Sequence, residues 1–251
     1  MAFAKELLKH STSLSRVLSV DYRLSSAPPR FELKNQFPAA VIDAIAAYKY
    51  LVCDMGFLPQ NITVAGDSSG GNMALAVTRY ALESRLPHLP PPGGLIAASP
   101  VTDLSFSRAG PGSSHYLNST SDKLYIPPGA RPPFVAELLF GEYTYGMDRE
   151  ETKYNRYLSP SSKFAISSGG DGKLFSGFPP SYITGGGAEY MFDDMVAVAE
   201  RMKDDGVDVT TDFPPDAVHN YCLFDWHEPE RTESLIKCAA WLDSHYATAT
   251  A

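Results

Sequence analysis

Ile62-Thr-Val-Ala-Gly-Asp-Ser-Ser-Gly-Gly-Asn72 is the stretch of sequence that decides the fold. Its first four residues form a short β-branched run, which is typical of a strand, and a helical pattern begins near Ser69. Between them, residues 66–70 fit the G-x-S-x-G pattern, in which a sharp strand-to-helix turn exposes a serine hydroxyl above a sheet edge. Ser68 is therefore a candidate nucleophile. The alternative is a glycine-rich turn whose serine has no chemical role.

The same alternation of short apolar runs and helical patterns continues along most of the chain. It is the signature of a mostly parallel α/β sheet with helices on both faces, and it predicts one domain over residues 1–251. Each predicted strand leads into a helix or a long excursion. The predicted strands are residues 14–22, 62–65, 94–98, 182–184 and 207–213.

Residues 101–178 interrupt this rhythm. They are rich in Ser, Gly, Pro and Tyr, and helical periodicity is visible only near residues 134–140. Because so long an irregular segment in a compact domain is usually functional, we expect a cap-like insertion over the mouth of a site. On this interpretation, deleting residues 110–121 changes the chain-length preference for the substrate more than it changes stability.

Composition excludes several classes of protein. With 251 residues, 44% hydrophobic and 20% charged, the chain can bury a sizeable core. A net charge of -8 without a basic stripe argues against nucleic-acid binding. No apolar run approaches the length of a membrane span, and the charged N-terminus is unlike a signal peptide, so we expect a cytoplasmic protein. Cys53, Cys222 and Cys238 are predicted to be thiols, and no residue pattern implies a metal or a cofactor.

A nucleophilic serine needs a base, and His219 is the best-placed histidine. It follows the last predicted strand, in a loop that can reach the carboxyl edge of the sheet, where the serine turn also lies. His227, in the acidic segment 225–228, is the only rival.

The acid that orients the base is expected after the preceding strand. Glu189 lies two residues after Gly185-Gly-Gly187 and is the best-placed carboxylate. Asp193 or Asp194 could serve instead, or could cap the following helix. For Glu189, the alternative is a partner of the helix dipole in the first turn.

Four stretches match the pattern of one known family: Val20-Asp-Tyr-Arg-Leu24, Phe37-Pro-Ala-Ala40 with Asp43-Ala44, Gly66-Asp-Ser-Ser-Gly-Gly-Asn72, and Ser99-Pro100 with Asp103-Leu104. With them, the chain resembles the hormone-sensitive-lipase-like branch of the α/β-hydrolases over nearly its whole length. The order Ser68, Glu189, His219 is also the α/β-hydrolase order.

The resemblance implies an α/β-hydrolase fold and a serine carboxylic-ester hydrolase that acts on a small-molecule ester without a cofactor. It implies Ser68 as the nucleophile, Glu189 as the acid, His219 as the base, and the backbone N–H of Ser69 as an oxyanion donor. Two positions depart mildly, because the family more often has aspartate at position 189 and glycine at position 220.

One departure is serious, because the chain contains no His-Gly-Gly sequence. In the family, this upstream loop supplies most of the oxyanion hole, and the loss of one oxyanion donor costs about 3 to 4 kcal/mol. The pattern indicates N-terminal truncation. Three explanations stay open: the gene product is truncated, the sequence is a fragment, or another loop has rebuilt the oxyanion hole. We expect weak esterase activity. The alternatives are a non-catalytic protein that binds a small ligand on the same fold, and a peptidase or thioesterase.

The resemblance has a further consequence for the sheet. In the α/β-hydrolase strand order, a strand that is missing here separates the strand at 14–22 from the strand at 62–65. The strand at 14–22 must therefore pair directly with the strand at 62–65, or one edge of the strand at 62–65 stays unpaired. Since open edges invite association, we expect the chain to self-associate.

Overall fold

The computed structural model describes residues 2–124, 130, 132–167 and 172–249. Within these ranges, four parallel strands form one sheet in the order β1-β2-β3-β4. β2 and β3 are buried along their whole length, as expected for central strands covered on both faces. The strands are β1 (Thr63–Asp67), β2 (Gly94–Ala98), β3 (Ser181–Thr184) and β4 (Val209–Asp212).

Helices cover both faces of the sheet, which confirms the predicted α/β-hydrolase architecture. Alternate side chains of β2 point to opposite faces: Ile96 and Ala98 pack against α1 and α8, whereas Leu95 and Ala97 pack against α3 and α7. α2 packs on the outer side of α3. The helices are α1 (Ala2–His10), α2 (Ala39–Lys49), α3 (Ser69–Ser84), α4 (Ser114–Leu117), α5 (Pro132–Phe140), α6 (Arg149–Tyr154), α7 (Phe192–Asp204) and α8 (Glu230–Ala249).

The predicted strand at residues 14–22 is wrong. The segment belongs to no strand, and Val17, Leu18 and Val20 are exposed. Among the described residues β1 pairs only with β2, so the segment 14–22 makes no strand pairing although strand-forming residues are present. The physical reason is that hydrogen bonds to helices hold both of its ends away from β1. β1 therefore has an open edge.

Side chains hold this segment at its two ends. At one end, the carboxylate of Asp243 on α8 accepts hydrogen bonds from the backbone N–H groups of Thr12 and Ser13, at 3.0 and 2.9 Å. At the other end, Arg23 makes a bidentate contact with Asp43 on α2. The segment thus runs between the two helical layers without joining the sheet.

The insertion at residues 101–178 contains α4, α5 and α6 and builds a core of its own. Val101, Leu104, Val135 and Leu158 are buried in this cluster, together with Met191 from the loop before α7. Because the cluster includes residues that follow β2 and β3, the insertion lies over the carboxyl edge of the sheet.

The open edge of β1 generates a prediction. We expect the chain to form concentration-dependent dimers or larger species through this edge, and Ala65→Lys to shift them towards monomer, because a charged side chain on an edge strand opposes strand pairing. Ala65 is exposed on β1, and Ala240 is an exposed alanine on α8, so Ala240→Lys is the matched control. Sedimentation velocity over a range of concentrations measures the outcome. A wild-type chain that stays monomeric throughout contradicts the prediction.

Candidate active site

Ser68 occupies a strained turn between β1 and α3. Its backbone has φ 54° and ψ -118°, a conformation that a residue with a side chain rarely adopts. Two glycines make the turn possible: a Cβ at Gly66 would overlap the carbonyl of Gly70, and a Cβ at Gly71 would lie 2.8 Å from the Cβ of Pro100. The elbow predicted from the sequence is therefore present in the fold.

The structure brings Ser68, His219 and Glu189 into one chain of hydrogen bonds. His219 Nε2 lies 3.0 Å from Ser68 Oγ, and His219 Nδ1 lies 2.8 Å from Glu189 Oε2. The histidine is buried and the glutamate has no exposed surface. When the N–H at Nδ1 donates a hydrogen bond to the carboxylate, Nε2 carries no proton and can accept a hydrogen bond from the serine hydroxyl. This arrangement can remove a proton from Ser68.

The glycine run before Glu189 is required for the approach of acid and base. A Cβ at Gly186 would overlap the carbonyl of Ala217, and a Cβ at Gly187 would lie 2.6 Å from the carbonyl oxygen of Pro215. The acid loop, residues 185–190, therefore packs directly on the backbone that leads to His219. Larger residues here would push the carboxylate away from the imidazole.

Ser99 is a site residue that the sequence reasoning did not single out. Its hydroxyl donates to Glu189 Oε1 at 2.6 Å and accepts the backbone N–H of Asn220 at 3.0 Å. The same carboxylate oxygen accepts the N–H of Gly186 at 2.5 Å. Asn220 has φ 57°, in the left-handed region that asparagine tolerates better than most residues. The family's usual glycine can therefore be replaced here.

The other candidates lie elsewhere. Asp193 accepts the backbone N–H of Ser114. Asp194 is paired with His115 at 3.0 Å, and the side chains of this pair are both buried. Burial raises the pKa of Asp194 to about 6, an effect opposed by its hydrogen bond with His115. His227 Nε2 accepts the backbone N–H of Val218 at 3.3 Å. Val218 belongs to the base loop, residues 213–220, which follows β4 and carries His219.

These contacts also change the expectation for the insertion. Ser114 and His115 belong to α4, and Asn118 donates to the carbonyls of Gly187 and Glu189. Deleting residues 110–121 would remove all of these partners at once. We therefore expect the deletion to lower stability and to disorder the acid loop, rather than to alter substrate preference alone.

A cavity of about 430 Å³ opens beside the serine. Ser68, Ser69 and His219 contribute its polar end, and Tyr22 lines it close to Ser69, with its hydroxyl 3.4 Å from Ser69 Oγ. Such a volume with a largely apolar wall suits a small organic ligand. The apolar wall includes Met73, Leu104, Leu139, Phe140 and Met191.

The first turn of α3 supplies backbone donors at the polar end. The first N–H groups of a helix have no partner within the helix. Those of Gly71 and Asn72 turn back to the carbonyl of Ser68. The N–H of Ser69 belongs to the residue directly after the nucleophile, which is the usual position of an oxyanion donor in this type of turn. Its position at the positive end of the helix dipole favours a developing negative charge.

Charges around the base are mixed. Lys123 lies over the ring of Phe224, with its Nζ 3.8 Å from the centroid. Partial burial lowers the pKa of Lys123, against the opposing influence of Asp122, Glu189 and Asp67. This ammonium offsets part of the negative charge that the carboxylates place near His219.

No group of three or more His, Cys, Asp or Glu side chains in the described part of the chain is arranged to hold a metal ion. None of the described helices is both long and apolar enough to span a bilayer.

Comparison with known proteins identifies the fold and the family. A family model described as the alpha/beta hydrolase fold matches residues 3–223. The chain belongs to this family. Its resemblance to hormone-sensitive lipases is confirmed by solved structures: a hormone-sensitive lipase from a metagenome library is 30% identical with a TM-score of 0.75, over 97% of this chain and 71% of that one. EstE7, a homologue from a metagenome library, is 30% identical with a TM-score of 0.74 and the same coverage.

Among curated proteins, an acetyl-hydrolase of Streptomyces hygroscopicus is 30% identical over 213 residues, which are 85% of this chain and 58% of the relative. Carboxylesterase NlhH of Mycobacterium tuberculosis is 28% identical over 222 residues, 87% of this chain and 60% of the relative. The chain thus spans about three fifths of the length of these relatives.

The close packing of the acid loop generates a prediction. Gly186→Ala should lower the free energy of unfolding by roughly 1 to 3 kcal/mol, because the new methyl group overlaps the carbonyl of Ala217. Gly70→Ala is the control: nothing lies within 4 Å of its added Cβ, and alanine is favoured in a helix by up to about 1 kcal/mol. Chemical denaturation of both variants measures the difference. Equal stability of the two variants contradicts the packing argument.

Proposed function

We propose that this chain is a serine carboxylic-ester hydrolase that transfers an acyl group through Ser68, His219 and Glu189. The observation that carries the proposal is the continuous hydrogen-bond chain from Ser68 Oγ through the imidazole to the buried carboxylate, at the polar end of an apolar cavity. The esterase and acetyl-hydrolase names of the relatives support the same reaction class.

The reaction has two acyl-transfer steps. Ser68 Oγ attacks the ester carbonyl carbon while His219 Nε2 takes the hydroxyl proton. The tetrahedral intermediate collapses, the C–O bond to the alcohol breaks, and the imidazolium returns the proton to the leaving alkoxide. Water then attacks the acyl-serine with His219 again as the base, which releases the carboxylic acid and restores Ser68.

Glu189 orients the base and stabilises the imidazolium that forms in both steps. Its carboxylate accepts hydrogen bonds from Ser99, the backbone of Gly186 and His219, so it is held on all sides. These three hydrogen bonds satisfy both oxygens of the buried carboxylate and fix its orientation towards the imidazole. A glutamate can replace the family's usual aspartate because this loop sets its position.

The oxyanion is the weak point of the site. The N–H of Ser69 is one donor, and we propose the Tyr22 hydroxyl, which lines the same cavity, as a second. Each oxyanion donor contributes on the order of 3 to 4 kcal/mol to transition-state stability. With two donors of this kind and no His-Gly-Gly loop in the sequence, turnover is expected to be slow.

The substrate class follows from the cavity. Its volume of about 430 Å³ and its apolar wall suit esters with short or medium acyl chains. Crystals of EstE5, 29% identical with a TM-score of 0.74, were soaked with p-nitrophenyl butyrate. Acetate and butyrate esters are therefore the first substrates to test.

A non-catalytic protein that binds a small ligand in the same cavity is the second candidate. The observation that favours it is the lack of a His-Gly-Gly sequence. The two candidates differ in one measurement, because only the hydrolase loses activity when the serine is removed.

Ser68→Ala should reduce the hydrolysis of p-nitrophenyl butyrate by at least about 10³-fold, since loss of a triad member leaves only the remaining binding and oxyanion contributions. Ser84→Ala, a serine at the end of the same helix, should have wild-type activity. Steady-state kinetics on purified proteins provide the test. Equal rates for wild type and Ser68→Ala favour the ligand-binding alternative.

Tyr22→Phe should lower kcat by about 10- to 10²-fold and change KM little, because an oxyanion donor acts mainly in the transition state. Tyr80→Phe, on α3 in the cluster packed against α2, is the control. An unchanged kcat for Tyr22→Phe would exclude this hydroxyl from the oxyanion hole.

A further inference from the structure

Asp122 joins the two loops that carry the acid and the base, although it belongs to neither of them. Its Oδ1 accepts the backbone N–H of His219 at 3.0 Å, and its Oδ2 accepts the backbone N–H of Tyr190 at 2.8 Å. Tyr190 directly follows Glu189 in the chain. One carboxylate therefore fixes the separation of the backbones from which the triad's acid and base project.

Neighbouring residues strengthen the same connection. Asn118 Nδ2 donates to the carbonyls of Gly187 and Glu189 at 3.0 and 2.9 Å, and Ser121 Oγ donates to the carbonyl of Ala188 at 3.0 Å. The segment 118–122, which we name the bridge segment, thus binds three successive carbonyls of the acid loop. Asp122 is the member that also reaches the base loop.

We propose that Asp122 is a positioning residue for the hydrolytic site: it holds the Glu189–His219 hydrogen bond at its working length. This inference rests on the proposed function. Catalysis by such pairs is sensitive to errors of about 1 Å, which can cost about 10²-fold in rate. The 2.8 Å contact between Glu189 and His219 is short, so movement of either backbone would lengthen it.

A carboxylate is the side chain that this role needs. Both Asp122 oxygens accept hydrogen bonds from backbone N–H groups, and such charge-assisted bonds are stronger than neutral ones. Asparagine is isosteric but has one acceptor oxygen and one NH₂ donor. In Asp122→Asn, one of the two backbone N–H groups therefore faces another donor, and the bridge opens on one side.

Asp193 provides a matched control. It is half-buried like Asp122, and its carboxylate also accepts a backbone N–H, that of Ser114 at 2.8 Å. It contacts neither the backbone of residue 190 nor that of residue 219 in the hydrogen bonds of the described chain. Asp193→Asn thus removes the same charge without opening the bridge, because its amide oxygen can still accept the one N–H of Ser114.

The kinetic test compares kcat and KM for p-nitrophenyl butyrate. We expect Asp122→Asn to lower kcat by about 10- to 10²-fold with KM within about twofold, because the acyl pocket is intact and only the triad is misaligned. Asp193→Asn should stay within about threefold of wild type. In a Glu189→Gln background, the effect of Asp122→Asn should shrink to a few-fold, because both substitutions act through one residue pair.

An NMR measurement tests the inference without turnover. A histidine N–H hydrogen-bonded to a buried carboxylate gives a proton resonance far downfield. We expect this resonance in wild type and in Asp193→Asn, its loss in Glu189→Gln, and its shift or loss in Asp122→Asn. Should Asp122→Asn fail to fold, the milder Ser121→Ala removes one bond to the acid loop and should shift the same resonance.

The outcomes separate the two proposals. Wild-type kcat together with an unmoved resonance in Asp122→Asn overturns the positioning role, even when Ser68→Ala confirms the hydrolase. Equal activity of wild type and Ser68→Ala overturns the hydrolase instead, while the resonance still decides whether Asp122 sets the geometry of the pair. The positioning role is also overturned when Asp122→Asn and Asp193→Asn lower the melting temperature by the same amount and have the same kcat. Such a pattern would mean that Asp122 contributes only to stability.

Discussion

The buried hydrogen bond between Glu189 and His219 is the contact on which the rest of the site depends. Taking a carboxylate fully out of water is costly unless its oxygens are satisfied. Here Ser99 and the backbone of Gly186 occupy one oxygen and the imidazole the other. The glycine run exists because this pairing requires two backbones to touch. Much of the local sequence therefore serves to keep one charged group buried and aligned.

The parallel sheet explains why residues so far apart in sequence can meet. Ser68 follows β1, Ser99 follows β2, Glu189 follows β3 and His219 follows β4. All four strands point the same way, so their carboxyl ends lie at one edge. The strain of the Ser68 turn is supported by the adjoining strand and helix, which are tied together through Gly66 and Gly71.

Sequence patterns predicted the local parts of this design well, because the elbow and the short apolar runs depend on neighbours in the chain. The strand at 14–22 failed for the opposite reason: its residues have strand character, but pairing depends on a partner that the described sheet does not place beside it. The sequence placed Ser99 in a stretch that matches the family but gave it no role, and Asp122 was missed, because neighbouring residues do not show what these side chains bind. Their roles arise from hydrogen bonds across 90 and 97 positions of sequence, and only the fold brings those positions together.

The open edge of β1 and the assembled triad are physically independent features of this chain. The three triad residues are held by contacts among the loops at the carboxyl edge and by the bridge segment, none of which involves the outer side of β1. The geometry of the proposed triad is thus independent of the open edge of β1. Stabilisation of the oxyanion is different, because Ser69 and Tyr22 lie on the side of the cavity next to the segment that failed to become a strand. Variation at residues 14–24 should therefore affect transition-state stabilisation, while the geometry of the triad stays the same.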